Sequence, residues 1–171
     1  MPIRVSARTN AELRGTVLAI KTLDRDLRKQ LRRGTKEVAG MAWGREVTRR
    51  ASTTLEHRVL ADTARVAVSD QNVRIIAAGA RRRVTSGGLR PIEYGRAIEF
   101  GANRAKRSTY RATRRGTTYT ITRRTAAQLR PRRKGGYVFF PAAAEMIPRL
   151  LAMWTQTTVR TIHEAFEGRR G

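Results

Sequence analysis

The stretch that decides the fold is Tyr137 to Gly168, YVFFPAAAEMIPRLLAMWTQTTVRTIHEAFEG. Its first five residues, Tyr137 to Pro141, are rich in aromatic and β-branched side chains, which favour a strand. Beyond them, apolar residues recur every three or four positions, which predicts an amphipathic helix. Pro148 is expected in the first turn of this helix or at a kink, and Gly168 is expected to end it. A strand that leads into a helix indicates a fold with both element types.

The N-terminal third of the chain predicts one long helix. It begins near Ala11, with Thr9 and Asn10 as candidate N-caps, and continues to about Leu55. Its apolar stripe follows two heptad rows: Leu13, Ile20, Leu27, Gly34 and Met41 in one, and Val17, Asp24, Leu31 and Val38 in the other. Asp24 and Gly34 interrupt the stripe. The opposite face is basic, and we interpret it as a solvated surface rather than a phosphate contact.

The middle of the chain predicts short strands. Val66 and Val68, then Val73 and Ile75, alternate with polar or small residues around a turn-forming Ser-Asp-Gln-Asn, which is a hairpin pattern. The segment 91–101, PIEYGRAIEFG, admits a strand or one helical turn leading into a strand, and we favour a strand near 97–100. The order of elements predicts an α+β fold: a long N-terminal helix and a C-terminal helix packed on a small antiparallel sheet. The 171 residues fit a single domain, 1–171.

A basic insertion, residues 103–136, lies within this domain. It carries no carboxylate, and GTTYTITRR within it alternates in the manner of a strand. We therefore expect a protruding hairpin or loop that turns near Arg115 and Gly116. Twelve cationic side chains of the insertion are candidate contacts to a partner protein or to DNA: Arg104, Lys106, Arg107, Arg111, Arg114, Arg115, Arg123, Arg124, Arg130, Arg132, Arg133 and Lys134.

The net charge of the whole chain points to an anionic partner. Lys and Arg number 37 against 13 Asp and Glu, which gives +24, whereas a free domain usually carries about 2 to 8. Self-repulsion on this scale is relieved by a polyanion or by an acidic neighbour. Arginine suits phosphate and carboxylate equally well, so its predominance does not choose between them.

The sequence lacks the residue sets of common enzymes. It has no cysteine, which excludes disulfides and thiolate metal sites. His57 and His163 are far apart, and we interpret both as surface residues. Glu93 and Glu99 are six residues apart, and we interpret them as salt-bridge partners of the many arginines. We therefore predict no catalysis, no cofactor and no metal.

The N-terminus has no signal-peptide pattern and no window approaches the ~20 apolar residues of a membrane span, so we expect a protein of cytosolic origin that is not in a membrane.

Two short stretches, IEYGRAIEFG and YVFFPAAAEMIPRLLAMW, resemble the neck or tail-completion proteins of long-tailed bacteriophages. The matching residues are Tyr94, Glu99, Phe100 and Gly101, then Phe139, Phe140, Pro141 and Ala142. This family has a long N-terminal helix, a small sheet, a variable insertion and a C-terminal helix. The insertion from Asn103 to Gly136 departs from the family because it is longer and more basic.

The resemblance implies a structural protein of the virion, made in the host cytoplasm and located at the head–tail junction. It implies a homo-oligomeric ring, expected to be a hexamer, that joins the head connector or head-closure proteins to the tail-terminator or tail-tube proteins and lets genomic DNA pass. The alternative is a nonspecific nucleic-acid-binding protein that uses the basic insertion. In either case, core or subunit-interface positions are expected at Leu13, Val17, Ile20, Leu27, Phe100, Phe140, Trp154, Ile162 and Phe166.

Overall fold

The computed structural model describes the backbone of residues 2–6 and 11–167, and the side chains of residues 14–167 except that of Thr125. A short helix, Thr54–Glu56, continues directly into a π-helical turn, His57–Ala61, and a 3-10 turn, Thr125–Gln128, follows the strand Thr117–Arg123. The elements in chain order are β1 (Pro2–Ser6), α1 (Ala11–Thr22), α2 (Arg25–Arg50), α3 (Thr54–Glu56), β2 (Arg65–Val68), β3 (Asn72–Ile76), α4 (Pro91–Phe100), β4 (Ser108–Arg114), β5 (Thr117–Arg123) and α5 (Phe139–Glu167).

The predicted hairpin forms two strands of a three-stranded antiparallel sheet. β2 and β3 pair as expected, and β1 adds to the other edge of β3, giving the order β1-β3-β2. β1 was not predicted from the sequence, although Ile3 and Val5 alternate with polar residues. Val66, Val73 and Ile75 are buried. They lie at alternate positions and so share the face of the sheet that meets the helices.

The core lies between α2, α5 and this sheet. The buried residues of α2 include Leu31, Thr35, Ala39 and Trp43, which recur every four positions and form one stripe. Trp43 is fully buried, its indole N–H donates to the carbonyl oxygen of Ile76 at 3.2 Å, and its ring meets that of Phe139 edge-on at 5.4 Å. One side chain thus ties α2 to the sheet and to the start of α5.

The prediction of one continuous N-terminal helix is wrong. The chain breaks at Asp24, whose side chain accepts a hydrogen bond from the backbone N–H of Leu27 at 2.9 Å and caps α2. Within α2 the buried stripe follows a spacing of four, Leu31, Thr35, Ala39 and Trp43, rather than the predicted heptad rows, so Val38 and Met41 lie outside it and are 51% and 55% exposed. The helix also ends earlier than Leu55, because α2 stops at Arg50.

Two segments predicted as strands are helical. Residues 91–100 form α4, with Pro91 at its first position and Gly101 at its C-cap with φ of 67°. The prediction of a strand from Tyr137 to Pro141 is also wrong, because α5 begins at Phe139. Pro148 therefore lies well inside α5 rather than in its first turn.

The predicted α+β class is confirmed, with N- and C-terminal helices against a small antiparallel sheet and a basic hairpin inserted between them. Ile20 and Trp154 are buried, while Val17, Leu27, Phe100 and Ile162 are half-buried. Phe140 and Phe166 are exposed, so neither is a core residue of the single chain. The candidate caps Thr9 and Asn10, the side chain of Leu13 and the stop at Gly168 lie outside what the structure describes.

Candidate interaction arm and its base

The basic insertion forms a two-stranded antiparallel ribbon, β4 and β5, as the sequence predicted. The ribbon turns at Arg115 and Gly116, whose φ angles of 52° and 79° are those of a two-residue hairpin turn. Seven residues in each strand give a length of about 23 Å. All the strand residues are exposed except Ala112 and Ile121, which are half-buried. The ribbon therefore presents both of its faces for contact.

The two faces of the ribbon differ in chemistry. On one, the tyrosine face, Tyr110 is paired with Ile121 and Ala112 with Tyr119, and the guanidinium of Arg123 lies 5.7 Å from the ring centre of Tyr110. The other, the threonine face, carries the cross-strand pairs Thr109–Thr122 and Thr113–Thr118, with hydroxyl oxygens 3.0 and 3.3 Å apart. Arg111 lies between these pairs, opposite Thr120.

The ribbon leaves and re-enters the fold at one closed seam, where residues 99–102 meet residues 130–137. Three backbone hydrogen bonds join the two sides. The N–H of Ala102 donates to the carbonyl oxygen of Arg130 at 2.9 Å, and that of Arg133 donates to the carbonyl oxygen of Phe100 at 2.8 Å. The N–H of Tyr137 donates to the backbone carbonyl oxygen of Glu99 at 3.0 Å. The two chain directions are thus joined before the ribbon begins. As a result, the helices and the main sheet do not depend on the ribbon for closure.

Glu99 holds the seam to the start of α5. Its carboxylate is fully buried and accepts hydrogen bonds from the backbone N–H groups of Val138 at 3.3 Å, Phe139 at 2.8 Å and Phe140 at 3.0 Å. These groups are the otherwise unpaired donors of a helix N-terminus, where a negative charge is favourable. The prediction that Glu99 pairs with an arginine is therefore wrong, whereas Glu93 does form an ion pair, with Arg90, at 3.4 Å.

Two glycines make this close approach possible. Gly101 has a φ of 67° and an extended ψ of −174°, a conformation that residues with a Cβ atom avoid, and a Cβ there would overlap the carbonyl oxygen of Pro131. Gly136 has a φ of 73°, and a Cβ there would overlap the carboxylate of Glu99. The rings of Phe100 and Phe140 pack 5.2 Å apart beside the seam. The stretches 92–101 and 137–154 are therefore in direct contact.

Arg130 holds the segment that follows the ribbon to the turn after α2. Its guanidinium lies 3.1 Å from the buried carboxylate of Glu56 and 3.9 Å from the ring centre of Tyr137. Glu56 also accepts backbone N–H bonds from Ser52 at 2.8 Å and Thr53 at 3.1 Å. Burial alone would raise the pKa of Glu56, but these hydrogen bonds outweigh burial and hold the pKa below its ordinary value.

The other cations of the insertion differ from Arg130. Among the described residues, Arg130 is the only one of the twelve candidate contacts that forms an ion pair with a carboxylate. The remaining eleven are exposed. Of these, Arg104 donates to the carbonyl oxygen of Ala127 at 3.2 Å, and Arg133 lies 5.4 Å from the ring centre of Tyr137. Sequence reasoning could not separate Arg130 from its neighbours, because Glu56 is 74 residues away in the chain.

A cationic groove of about 490 Å³ lies at the base of the insertion, and we call it the base groove. Arg96 of α4 contributes to one part of its lining, and the run Arg132, Arg133 and Lys134 contributes to another. No carboxylate lines the groove, and none of these cations forms an ion pair with a described residue. Arg96 was not among the predicted contacts, because it precedes the insertion and only the folded chain brings it beside Arg132, Arg133 and Lys134.

The described residues hold no group of three or more His, Asp or Glu side chains suited to a metal ion. His57 is half-buried in the π-helical turn, and His163 is exposed, with its Nδ1 3.3 Å from Glu167. Within residues 2–6 and 11–167, no helix has the length and apolar character needed to cross a membrane. The exposed cations and the exposed rings of Tyr110 and Tyr119 on the insertion are suited to binding anions and flat groups.

Comparison of the chain with models of known protein families, with curated proteins and with solved structures finds no match.

Proposed function

We propose that this chain is a structural protein of the head–tail junction of a long-tailed phage, where it forms a ring that joins the head connector to the tail tube. The resemblance of two short stretches to neck and tail-completion proteins motivates the proposal. The contact between those stretches supports it: Glu99 caps α5 at Phe139, and Phe100 packs on Phe140. A seam of this kind allows an insertion to vary in length while the surrounding fold is retained.

One observation carries the proposal: a fully formed ribbon projects from a closed seam and carries cations that have no carboxylate partner in the described chain. Such a ribbon is suited to contact acidic neighbours or DNA rather than to perform a reaction. In the ring, the ribbon extends from each subunit to an adjoining protein or to the DNA in the channel.

Exposed apolar residues on the helices supply surfaces for contacts between subunits. On α5, Val159 is 62% and Phe166 65% exposed, and the half-buried Ile162 lies between them. Their spacing of three and four places them on one face of the helix. Val38 and Met41 form a second exposed apolar pair on α2. Contiguous apolar surface of this kind is typical of interfaces.

The test is a truncation that spares the seam. Residues 107–124 are replaced by Asn-Gly, which removes the ribbon but keeps Arg130, Gly136 and the hydrogen bonds between residues 99–102 and 130–137. A deletion of all of 103–136 is less informative, because it also removes Arg130 and Gly136. A second variant keeps the full ribbon and changes its six cations within 107–124 to Gln, which separates the effect of charge from that of shape.

Both variants are expected to fold with an unchanged thermal transition and to fail in joining tails to heads, scored by infectious yield and by electron microscopy of the particles. If the truncated chain gives infectious particles at normal yield, the ribbon has no part in tail joining and the proposal is wrong. If only the truncation fails, the ribbon acts through shape rather than charge.

The second candidate function is nonspecific nucleic-acid binding, and the tyrosine face favours it. Tyr110 and Tyr119 are each 44% exposed, and aromatic rings beside arginines are suited to stacking on bases. In that case the purified chain binds duplex DNA as a monomer or dimer, and its affinity falls steeply with salt. DNA binding by the purified chain does not by itself separate the two candidates; assembly into rings when connector or tail proteins are added is expected only under the ring proposal.

A further inference from the structure

We infer that the base groove is a phosphate-binding site for the backbone of a nucleic acid, and that Arg96 is a binding residue in it. Arg96 lies on α4, outside the basic insertion, yet it lines the same groove as Arg132, Arg133 and Lys134. Two separate parts of the chain therefore bring positive charge to one concave surface. This inference deepens the proposed function, since the DNA that passes through the ring is the source of the phosphate.

The electrostatics of the groove require an anionic ligand. Cations placed together repel one another, and this repulsion is normally relieved by nearby carboxylates. Here the chain from Phe100 to Ala144 contains no acid, and Glu99, which borders that segment, is fully buried and bonded to backbone N–H groups. Glu93, one helical turn before Arg96, pairs with Arg90. The groove therefore has no intramolecular counter-charge among the described residues that line it.

The number of donors favours phosphate over carboxylate. One carboxylate is satisfied by a single arginine through two parallel hydrogen bonds. Three arginines and one lysine line the groove, and Asn103 lines it as well. A backbone phosphate exposes oxygens in more than one plane and accepts from donors on both sides of the groove.

The charge also continues beyond the groove. Asn103 lines the groove where the insertion begins, and Arg104, Lys106 and Arg107 follow it directly, all exposed. Duplex DNA carries one negative charge about every 1.7 Å along its axis, so a bound phosphate brings further phosphates to this adjoining segment. An isolated anion or a single acidic side chain does not use the adjoining cations in this way.

The experiment measures binding of the purified full-length chain to a fluorescent duplex of about 30 base pairs across a range of salt concentrations. Arg96→Gln is compared with Arg33→Gln, a matched change of charge at an exposed arginine of α2 that has no ion pair with a described residue. Arg96→Gln is expected to weaken binding about tenfold, the effect of losing one charge-assisted hydrogen bond. It should also reduce the slope of log K against log salt by about 0.9, the contribution of one phosphate contact. Arg33→Gln should change the affinity less than about twofold, because it removes charge without removing a phosphate contact.

Two results overturn the inference. If Arg33→Gln weakens binding as much as Arg96→Gln, the chain attracts DNA through its total charge and the groove is not a site. Polyglutamate at the same charge concentration is the second competitor. If it displaces the wild-type chain from the fluorescent duplex as well as unlabelled duplex does, the groove has no preference for phosphate over carboxylate, and an acidic protein segment is the partner.

The DNA-binding assay contains no head or tail proteins. A result that overturns the phosphate site therefore does not contradict the proposed function, which the tail-joining experiment tests separately. Conversely, a truncated chain that still gives normal particles contradicts the proposed function without changing the affinity of the groove for DNA. A thermal melt of Arg96→Gln checks the fold, and Lys134→Gln, at a second exposed residue of the groove, is expected to give the same loss of affinity.

Discussion

Arg130 and Glu56 form an ion pair at 3.1 Å between the segment that follows the ribbon and the capped turn after α2. Glu56 is 1% exposed and the Arg130 side chain is 38% exposed, so the pair lies at the boundary between core and solvent. Arg130 is consequently part of the fold, although it belongs to a run of cations that otherwise contact solvent.

We expect Arg130→Ala to destabilise the protein by about 1–3 kcal/mol, because it leaves the buried carboxylate of Glu56 without its counter-charge. Arg132→Ala, two residues further on and exposed, should change stability by less than about 0.5 kcal/mol. Chemical denaturation of both variants measures the difference. Equal stability of the two variants would show that the ion pair contributes nothing.

We expect Glu99→Ala to be more damaging. The change leaves the backbone N–H groups of Val138, Phe139 and Phe140 buried or half-buried without an acceptor, and each such loss costs about 1–3 kcal/mol. The total is at least about 3 kcal/mol, with the melting temperature lowered by about 2–4 °C for each kcal/mol. Glu93→Ala is the control, since Glu93 is exposed, and it should melt close to the wild-type protein. Glu99→Gln keeps one acceptor oxygen, so its melting temperature should lie between those of Glu99→Ala and Glu93→Ala.

We expect Gly101→Ala to disrupt the seam. The new Cβ would overlap the carbonyl oxygen of Pro131, and the backbone conformation itself is unfavourable for alanine. A loss of about 2–3 kcal/mol or more follows. Gly135→Ala is the matched control, because a Cβ at Gly135 meets nothing within 4 Å. Thermal melts compare the two, and a stable Gly101→Ala protein would contradict the geometry described for the seam.

Stability should fall in acid because of Glu56 and Glu46. Burial raises the pKa of each carboxyl, but hydrogen bonds outweigh it, including those from Arg130 to Glu56 and from Arg49 and Arg50 to Glu46, so both pKa values are lowered. The unfolded chain then binds more protons than the folded one. The stabilisation is fully present above the ordinary pKa of 4.5 and is lost as the pH falls through the lowered values.

Denaturant unfolding between pH 7 and pH 3 measures this dependence. Glu56→Gln should lower stability at pH 7 and give a shallower decline towards pH 3, because one of the two titrating groups is removed. A decline as steep as that of the wild-type protein would exclude Glu56 as a contributor.

Local patterns predicted the elements whose partners are close in sequence. The β2–β3 hairpin and the ribbon each turn within a few residues, and their alternating side chains and turn residues were sufficient. The C-terminal helix was also predicted, because its apolar periodicity extends over many turns. In each case the deciding information lies within a short window of sequence.

The wrong predictions involve partners that are far away or end signals that were given too little weight. Tyr137 to Pro141 has the composition of a strand, but Glu99, about 40 residues earlier, accepts the N–H groups that a strand would donate and favours a helix start. For α4, Pro91 and Gly101 are the boundary residues of a helix, but the prediction of a strand near 97–100 did not use them. The break at Asp24 was seen as a gap in the stripe, but its role as a cap depends on geometry that the heptad rows do not contain.

The seam also has a practical consequence for engineering. A backbone hydrogen bond joins Ala102 to Arg130 at the base of the ribbon. We therefore expect that the ribbon can be replaced by another segment without loss of the remaining fold. A fluorescent label or an affinity peptide placed between Arg115 and Gly116 is separated from the helices by the full length of both strands. The protein can thus be tracked or captured through its ribbon tip, while the core around Trp43 is unchanged.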